Sequence, residues 1–334
     1  MMIGTFTADG EATFPGNGEA GLLAYEKLIG RKVAQVLWFL TFDDPFPAEA
    51  CQTVIDHGSI PQLTWELFWQ LAYPSNSDTA STGLDDVLAH KHDAYIDTFA
   101  AGAASCGKPI LIRFLHEFNG NWHPWGGFKN GSAAGGPERV KAVWKYVVDR
   151  FRAAGAANVL WLWCPHGPMA DVPTEAWNDM ENYYPGDDYV DWFGMDGYNW
   201  YPKDPWGGTR PFQDFDGVFK VVYERLVALA AKPIAISEMA SGEFTHRHMT
   251  KADWVIDTFT RMKSYPALKM FSWYNINKEL DWRVDSSPAV LAAVRKMMSD
   301  PFFESDYTDP RPSAAGLPPA APSRERPGQA GDAA

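Results

Sequence analysis

Cysteine, basic charge and long apolar runs are all scarce in this chain. Its 334 residues hold three cysteines, Cys51, Cys106 and Cys164, with no Cys-x-x-Cys pair. So sparse and odd a set is no disulfide framework, and it leans towards a reducing compartment. Lys and Arg number 29 against 42 Asp and Glu, a formal net charge of −13. Nucleic acid and anionic membrane surfaces both attract basic protein surface, so neither is expected as a partner. No apolar run approaches the roughly 20 residues of a membrane span. The opening stretch MMIGTFTADGEATFPG has neither the basic nor the apolar segment of a secretory leader. As written, the chain reads as cytoplasmic; a processed secreted protein would look the same. A monomer is expected.

Several catalytic signatures are missing too. No G-x-G-x-x-G follows an apolar run, which disfavours a dinucleotide-binding open sheet. His116-Glu117 does not extend to H-E-x-x-H, because Gly120 stands four residues after His116, so a zinc-protease site is unsupported. Cys164 has no evident base within its motif, so a thiol nucleophile is not expected. Glu243, His246 and His248 form only a loose cluster. The expectation is no metal and no cofactor.

What is present is aromatic. Phe, Trp and Tyr make up 14% of the chain, with 15 Trp. A core can absorb many of them, and flat polar ligands such as sugars would account for others. Eight short apolar runs recur along the chain: Ile3–Thr7, Ala34–Phe42, Ile60–Glu66, Pro109–Glu117, Asn158–Cys164, Asp191–Asn199, Lys232–Glu238 and Leu268–Asn275. Most lack the polar alternation of a half-exposed strand, which suits parallel strands covered on both faces. Helical patterns separate them. In PERVKAVWKYVVDRFRAAG, Val140, Val143, Trp144, Val147, Val148 and Phe151 recur at three-to-four spacing between Pro137 and Gly155. Asp85–Gly107 and Asp216–Ala231 read as helices too, whereas Pro165–Asp188 is irregular. Alternating strands and helices predict an α/β fold, a single (β/α)8 TIM barrel over residues 1–308. The Pro/Ala-rich stretch 309–334 has too little apolar surface to order itself and is expected to be a disordered tail.

In such barrels functional residues gather at the C-terminal ends of the strands. The third run ends in Trp65-Glu66, the fourth in His116-Glu117, the sixth in Asp196-Gly197-Tyr198-Asn199, the seventh in Ser237-Glu238 and the eighth in Trp273-Tyr274-Asn275. Carboxylates ending the fourth and seventh runs would face each other across the mouth. A glycosidic bond needs such a pair, one to protonate the leaving oxygen and one to attack or stabilise the anomeric carbon. His166 and Asn199 would line the cleft, and Asp196 reads as structural.

The motif Arg113-x-x-His116-Glu117, then Asn119-Gly120-x-Trp122-x-Pro124-Trp125-Gly126, resembles glycoside hydrolase family 26. So do DWFGMDGYN, ISE and FSWYN at the sixth, seventh and eighth runs, and the likeness spans about Ile3 to Ser299. It implies a retaining endo-β-glycanase acting on polysaccharide, with Glu117 as general acid/base and Glu238 as nucleophile. It further implies that His116 binds substrate beside the acid, that Arg113 holds the ionised nucleophile, and that Tyr198 donates to Glu238. Trp273 would be the apolar floor under the reacting sugar, and Trp122 or Trp125 would flank the leaving group. Mannan-cleaving members carry a Trp-His pair followed by Asn-Pro near the third strand. This chain has LTWELFWQ there, and Trp65-Glu66 resembles the branch that cleaves mixed-linkage β-glucan. Both are therefore expected to contact substrate, with packing as the alternative. The substrate stays open between β-1,4-mannan and mixed-linkage β-1,3-1,4-glucan, with β-1,3-xylan a third option. A non-catalytic sugar-binding protein would lack one of the two acids.

Overall fold

The computed structural model describes residues 1–9, 12–68, 83–167, 172, 174–203, 205, 207–306 and 308. Eight strands form its centre: β1 Met2–Asp9, β2 Gln35–Thr41, β3 Ile60–Glu66, β4 Ile110–Phe114, β5 Val159–Trp163, β6 Trp192–Asn199, β7 Ile234–Ser241 and β8 Leu268–Asn275. Each pairs in parallel with the next, and β8 returns to β1 through Met2↔Met270 to Thr7↔Asn275. The sheet is thus closed, and the chain is a (β/α)8 barrel.

Strand alternation sorts the side chains into two environments. Met2, Ala34, Ile60, Leu111, Leu160, Leu162, Cys164, Trp192, Ala235 and Met270 pack into a small apolar plug inside the barrel. Gln62, Thr64, Arg113, Asp196 and Ser272 are buried polar groups. The opposite strand faces join the larger core under the helices. The periodic segment after β4 forms the helix Gly136–Ala153, with its six spaced apolar residues buried. Phe151 packs on Trp161 at 5.0 Å between ring centroids.

Two expectations about the crossovers change. Asp85–Gly107 is two helices, Gly83–Leu88 and Asp93–Cys106. His90 between them sits at φ +64°, a left-handed conformation that no α-helix can pass through. Between β5 and β6 the described residues form no α-helix, only short 3-10 turns at Ala176–Asn178, Met180–Tyr183 and Asp187–Tyr189. No described helix is long and apolar enough to cross a membrane. The expected disordered tail, 309–334, lies outside the described residues.

Candidate active site

At the C-terminal end of the barrel a cleft of about 800 Å³ opens, with Glu117 and Glu238 both in its lining. The two carboxylates are delivered by different devices. Glu238 lies on β7 where the pairing slips by one residue. Met195↔Ile236 is followed by Asp196↔Glu238 on one side, and Phe271↔Ile236 by Trp273↔Met239 on the other. An extra residue of this kind re-aims the side chains beside it. Glu117 instead follows β4 in a loop where Leu115 has φ +48° and Glu117 φ +53°. Such conformations cost on the order of 1–3 kcal/mol each in residues other than glycine, and surrounding structure must hold them. Here Glu117 N donates to Cys164 O at 2.8 Å, Gly120 N to Glu117 O at 2.9 Å, and Trp125 Nε1 to His116 O at 2.8 Å.

Arg113 is fully buried beneath Glu238. Its Nε donates to Thr64 Oγ1 at 2.9 Å, its Nη1 to Asp196 Oδ2 at 2.5 Å, and its Nη2 to Glu238 Oε1. Tyr198 Oη donates to the other oxygen, Oε2. Burial drives the Asp196 carboxyl well above its usual range against the pull of Arg113, with the charges of Glu238 and Glu117 adding to it. The one guanidinium is thus shared between Asp196 and Glu238. Burial and the Glu238 charge also push the Tyr198 phenol up, so it remains a donor.

Around Glu117 the partners are aromatic and imidazole groups. Oε2 accepts from Trp122 Nε1 at 2.7 Å and faces His123 Nε2 at 3.1 Å, while His166 Nε2 lies 3.6 Å from Oε1. His166 Nδ1 sits 2.7 Å from the Gly167 carbonyl, and its backbone exchanges hydrogen bonds with the Asn119 amide. Burial alone would raise the Glu117 carboxyl; His166, His123 and His116 outweigh it and hold the group below the usual carboxylate range. Burial and Arg113 push the His116 imidazole itself well below its ordinary range. Glu66, at the cleft wall, is pushed up to about 8 by burial, against Arg113, with Glu238 and Glu117 reinforcing the rise.

Of the expected site residues, Glu117, Glu238, Glu66, His116, Trp122 and Tyr198 meet in this one cleft. Arg113 reaches it only through Glu238. Three tryptophans do not reach it. Trp65 is fully buried, stacked on Phe99 at 4.3 Å and on Phe42 at 4.7 Å, with Nε1 donating to Tyr95 Oη. Trp273 is fully buried, packs towards Trp254 and Phe259, and donates Nε1 to the Trp282 carbonyl at 2.8 Å. Both stand on the helix-facing side of their strands; alternation gives the cleft side to their neighbours Glu66 and Tyr274. On β8 it is therefore Tyr274, stacked on Phe6 at 4.6 Å, that lines the cleft, and not Trp273. Trp125 is buried as well and acts as a support, its ring 4.2 Å from that of His123 and nearly parallel to it.

The cleft also recruits Phe39, His123, His166, Trp200, Arg210 and Trp282. Of these, only His166 is expected from the sequence to line the cleft. Strand parity would have found Tyr274, and His123 lies inside the quoted motif between two noted tryptophans. Trp200 and Trp282 come from loops, where periodicity offers no guide. His246 stacks on Phe212 and Glu243 accepts from Ser286, so these two are engaged elsewhere and the loose cluster after β7 is not drawn together.

A parallel barrel with a polar cleft at its strand ends, and two glutamates carried there by β4 and β7, defines a hydrolase-type site. The family follows from comparison: residues 53–252 match the model of glycosyl hydrolase family 26, and the chain belongs to that family. Endoglucanase H of Acetivibrio thermocellus is 34% identical over 89% of this chain, and a mannan endo-1,4-β-mannosidase of Bacillus subtilis is 29% identical over 57%. The chain spans 31% of the first protein's length and 51% of the second's. A modular endo-β-1,4-mannanase from Cellulomonas fimi superposes with a TM-score of 0.65 at 20% identity, covering 97% of this chain and 76% of that one, a likeness of fold.

Proposed function

We propose that the chain is a retaining endo-β-glycanase that cleaves β-linked hexose polysaccharide by double displacement. The observation that carries this is the unequal grip on two glutamates in one cleft. Arg113 and Tyr198 hold both oxygens of Glu238, which fixes the carboxyl in place and aims it as a nucleophile. Glu117 faces donors that can release it, Trp122 and His123, with His166 near its other oxygen. In the first step Glu117 protonates the departing glycosidic oxygen while Glu238 attacks the anomeric carbon. A bound sugar excludes water, and that strengthens the upward push of burial on Glu117 in this step. Conversion of Glu238 to an ester then removes a negative charge from the cleft. Glu117 is left to the imidazoles that favour its ionised form, as a base for water must be. Tyr274 and Trp122 offer ring faces to pyranose C–H groups, leaving hydroxyls for polar contacts. His116 and Glu66 bind those hydroxyls; Glu66 near neutrality is a donor as much as an acceptor.

The substrate is β-1,4-mannan or mixed-linkage β-1,3-1,4-glucan. Mannanases among the relatives support the first. The second draws on the relative named an endoglucanase, which matches 89% of this chain. Product analysis on galactomannan, glucomannan, barley-type glucan and β-1,3-xylan side by side tests both class and substrate. Internal cleavage of one of the hexose polymers is expected, with no loss in chelator. No cleavage of any of them contradicts the proposal.

A further inference from the structure

Glu66, His116 and His123 each present one ligand atom, and the three atoms lie within 4.8 Å of one another. This is the one such gathering of metal-capable side chains among the described residues. The two imidazoles are ordered by a common support. Trp125 donates to the His116 carbonyl and stacks on His123, and the two rings stand 4.6 Å apart, tilted by 60°. The His116 ring is almost wholly buried, and its Nδ1 has no hydrogen-bond partner. A buried imidazole nitrogen without a partner calls for a ligand or an ion.

We propose that these three side chains bind a borderline divalent transition-metal ion, with Zn²⁺ the natural occupant, and that the ion inhibits the enzyme. Two imidazoles and a carboxylate are a donor set for Zn²⁺, Co²⁺, Ni²⁺ or Cu²⁺; Mg²⁺ and Ca²⁺ prefer all-oxygen cages. At Zn–N and Zn–O distances of about 2.0–2.2 Å, tetrahedral ligands stand roughly 3.4 Å apart. Binding would draw the ligand atoms, now within 4.8 Å of one another, closer together, with Glu66 and His123, the two less buried members, moving to do so. Water fills the remaining position. All three ligands line the cleft that holds Glu117 and Glu238, so the ion occupies volume a sugar would need. It also engages His123, which contacts Glu117 Oε2. The ion is an inhibitor and takes no part in the reaction, so chelator leaves the metal-free enzyme unaffected and restores the loaded one. Inhibition rests on the glycanase reading above; metal binding does not.

The test is Co²⁺ titration of the tag-free full chain, followed by visible absorption. One equivalent should give the intense bands of four- or five-coordinate Co²⁺, and Zn²⁺ should displace it. Glu66→Gln and His123→Phe should each weaken binding by about 10–100-fold or more, with thermal melts confirming that both fold. On polysaccharide, Zn²⁺ should raise KM and leave kcat unchanged. Absence of the bands at millimolar Co²⁺ overturns the site, as does undiminished binding in both folded variants. Metal binding in a protein inert on every polysaccharide would overturn the glycanase reading and leave the site standing.

Discussion

The surroundings of Glu238 are built from strands, and those of Glu117 from loops. Arg113, Asp196, Tyr198 and Glu238 all sit on β4, β6 and β7, whose backbones are locked by barrel pairing. Their side chains form one buried ion and hydrogen-bond network. Glu117, Trp122, His123 and His166 follow strand ends, and two left-handed residues set the turn. A proposed nucleophile must stay ionised and in line. A proposed acid/base must gain and lose a proton in each cycle. The strand-built frame goes to the first and the loop-built one to the second.

Substitutions can break this comparison in order of effect. Glu238→Ala should lower kcat by roughly 10⁴–10⁶-fold on every substrate, because no other group replaces a covalent nucleophile. Steady-state assays on polymer and on aryl glycosides check it. Glu117→Ala should cost about 10²–10⁴-fold on polymer, yet spare glycosides whose leaving groups need no proton. Equal losses on both substrate types would undo the acid/base assignment. Tyr198→Phe removes a hydrogen bond to a charged group, about 1.5–3 kcal/mol or roughly 10–100-fold in kcat. Trp122→Phe keeps an aromatic face and loses the donor to Glu117. His123 still contacts that oxygen, so a drop of tenfold or less in kcat/KM is expected. Trp65→Leu should lower thermal stability by about 2–4 kcal/mol through cavity formation and leave KM and kcat unchanged. A raised KM at preserved stability would return Trp65 to the cleft.

The same contrast explains what was legible in the sequence. All eight strands show in it as short runs rich in apolar residues, because each is covered on both faces. Parity is written in IPQLTWE, where Gln62, Thr64 and Glu66 alternate with Leu63 and Trp65, yet the expectation put Trp65 in the cleft beside Glu66, and Trp273 there in place of Tyr274. The stripe from Val140 to Phe151 was plain because a helix with one covered face keeps its period. The break at His90 was not, since only the backbone conformation reveals it. The two glutamates stood out as charge at the ends of apolar runs. The register slip at β7 that aims Glu238, and the ring of His123 and His166 around Glu117, depend on contacts between segments 40 or more residues apart or on loop geometry. Periodicity carries neither.

The central claim is a covalent bond between the sugar and Glu238. In an activated 2-deoxy-2-fluoro β-glycoside the fluorine slows both oxocarbenium-like steps and the good leaving group restores the first, so the intermediate accumulates. Intact mass followed by peptide mapping should then find one glycosyl unit per chain, attached to Glu238. A label on any other residue, or no label while polysaccharide is cleaved with inversion, would contradict the account.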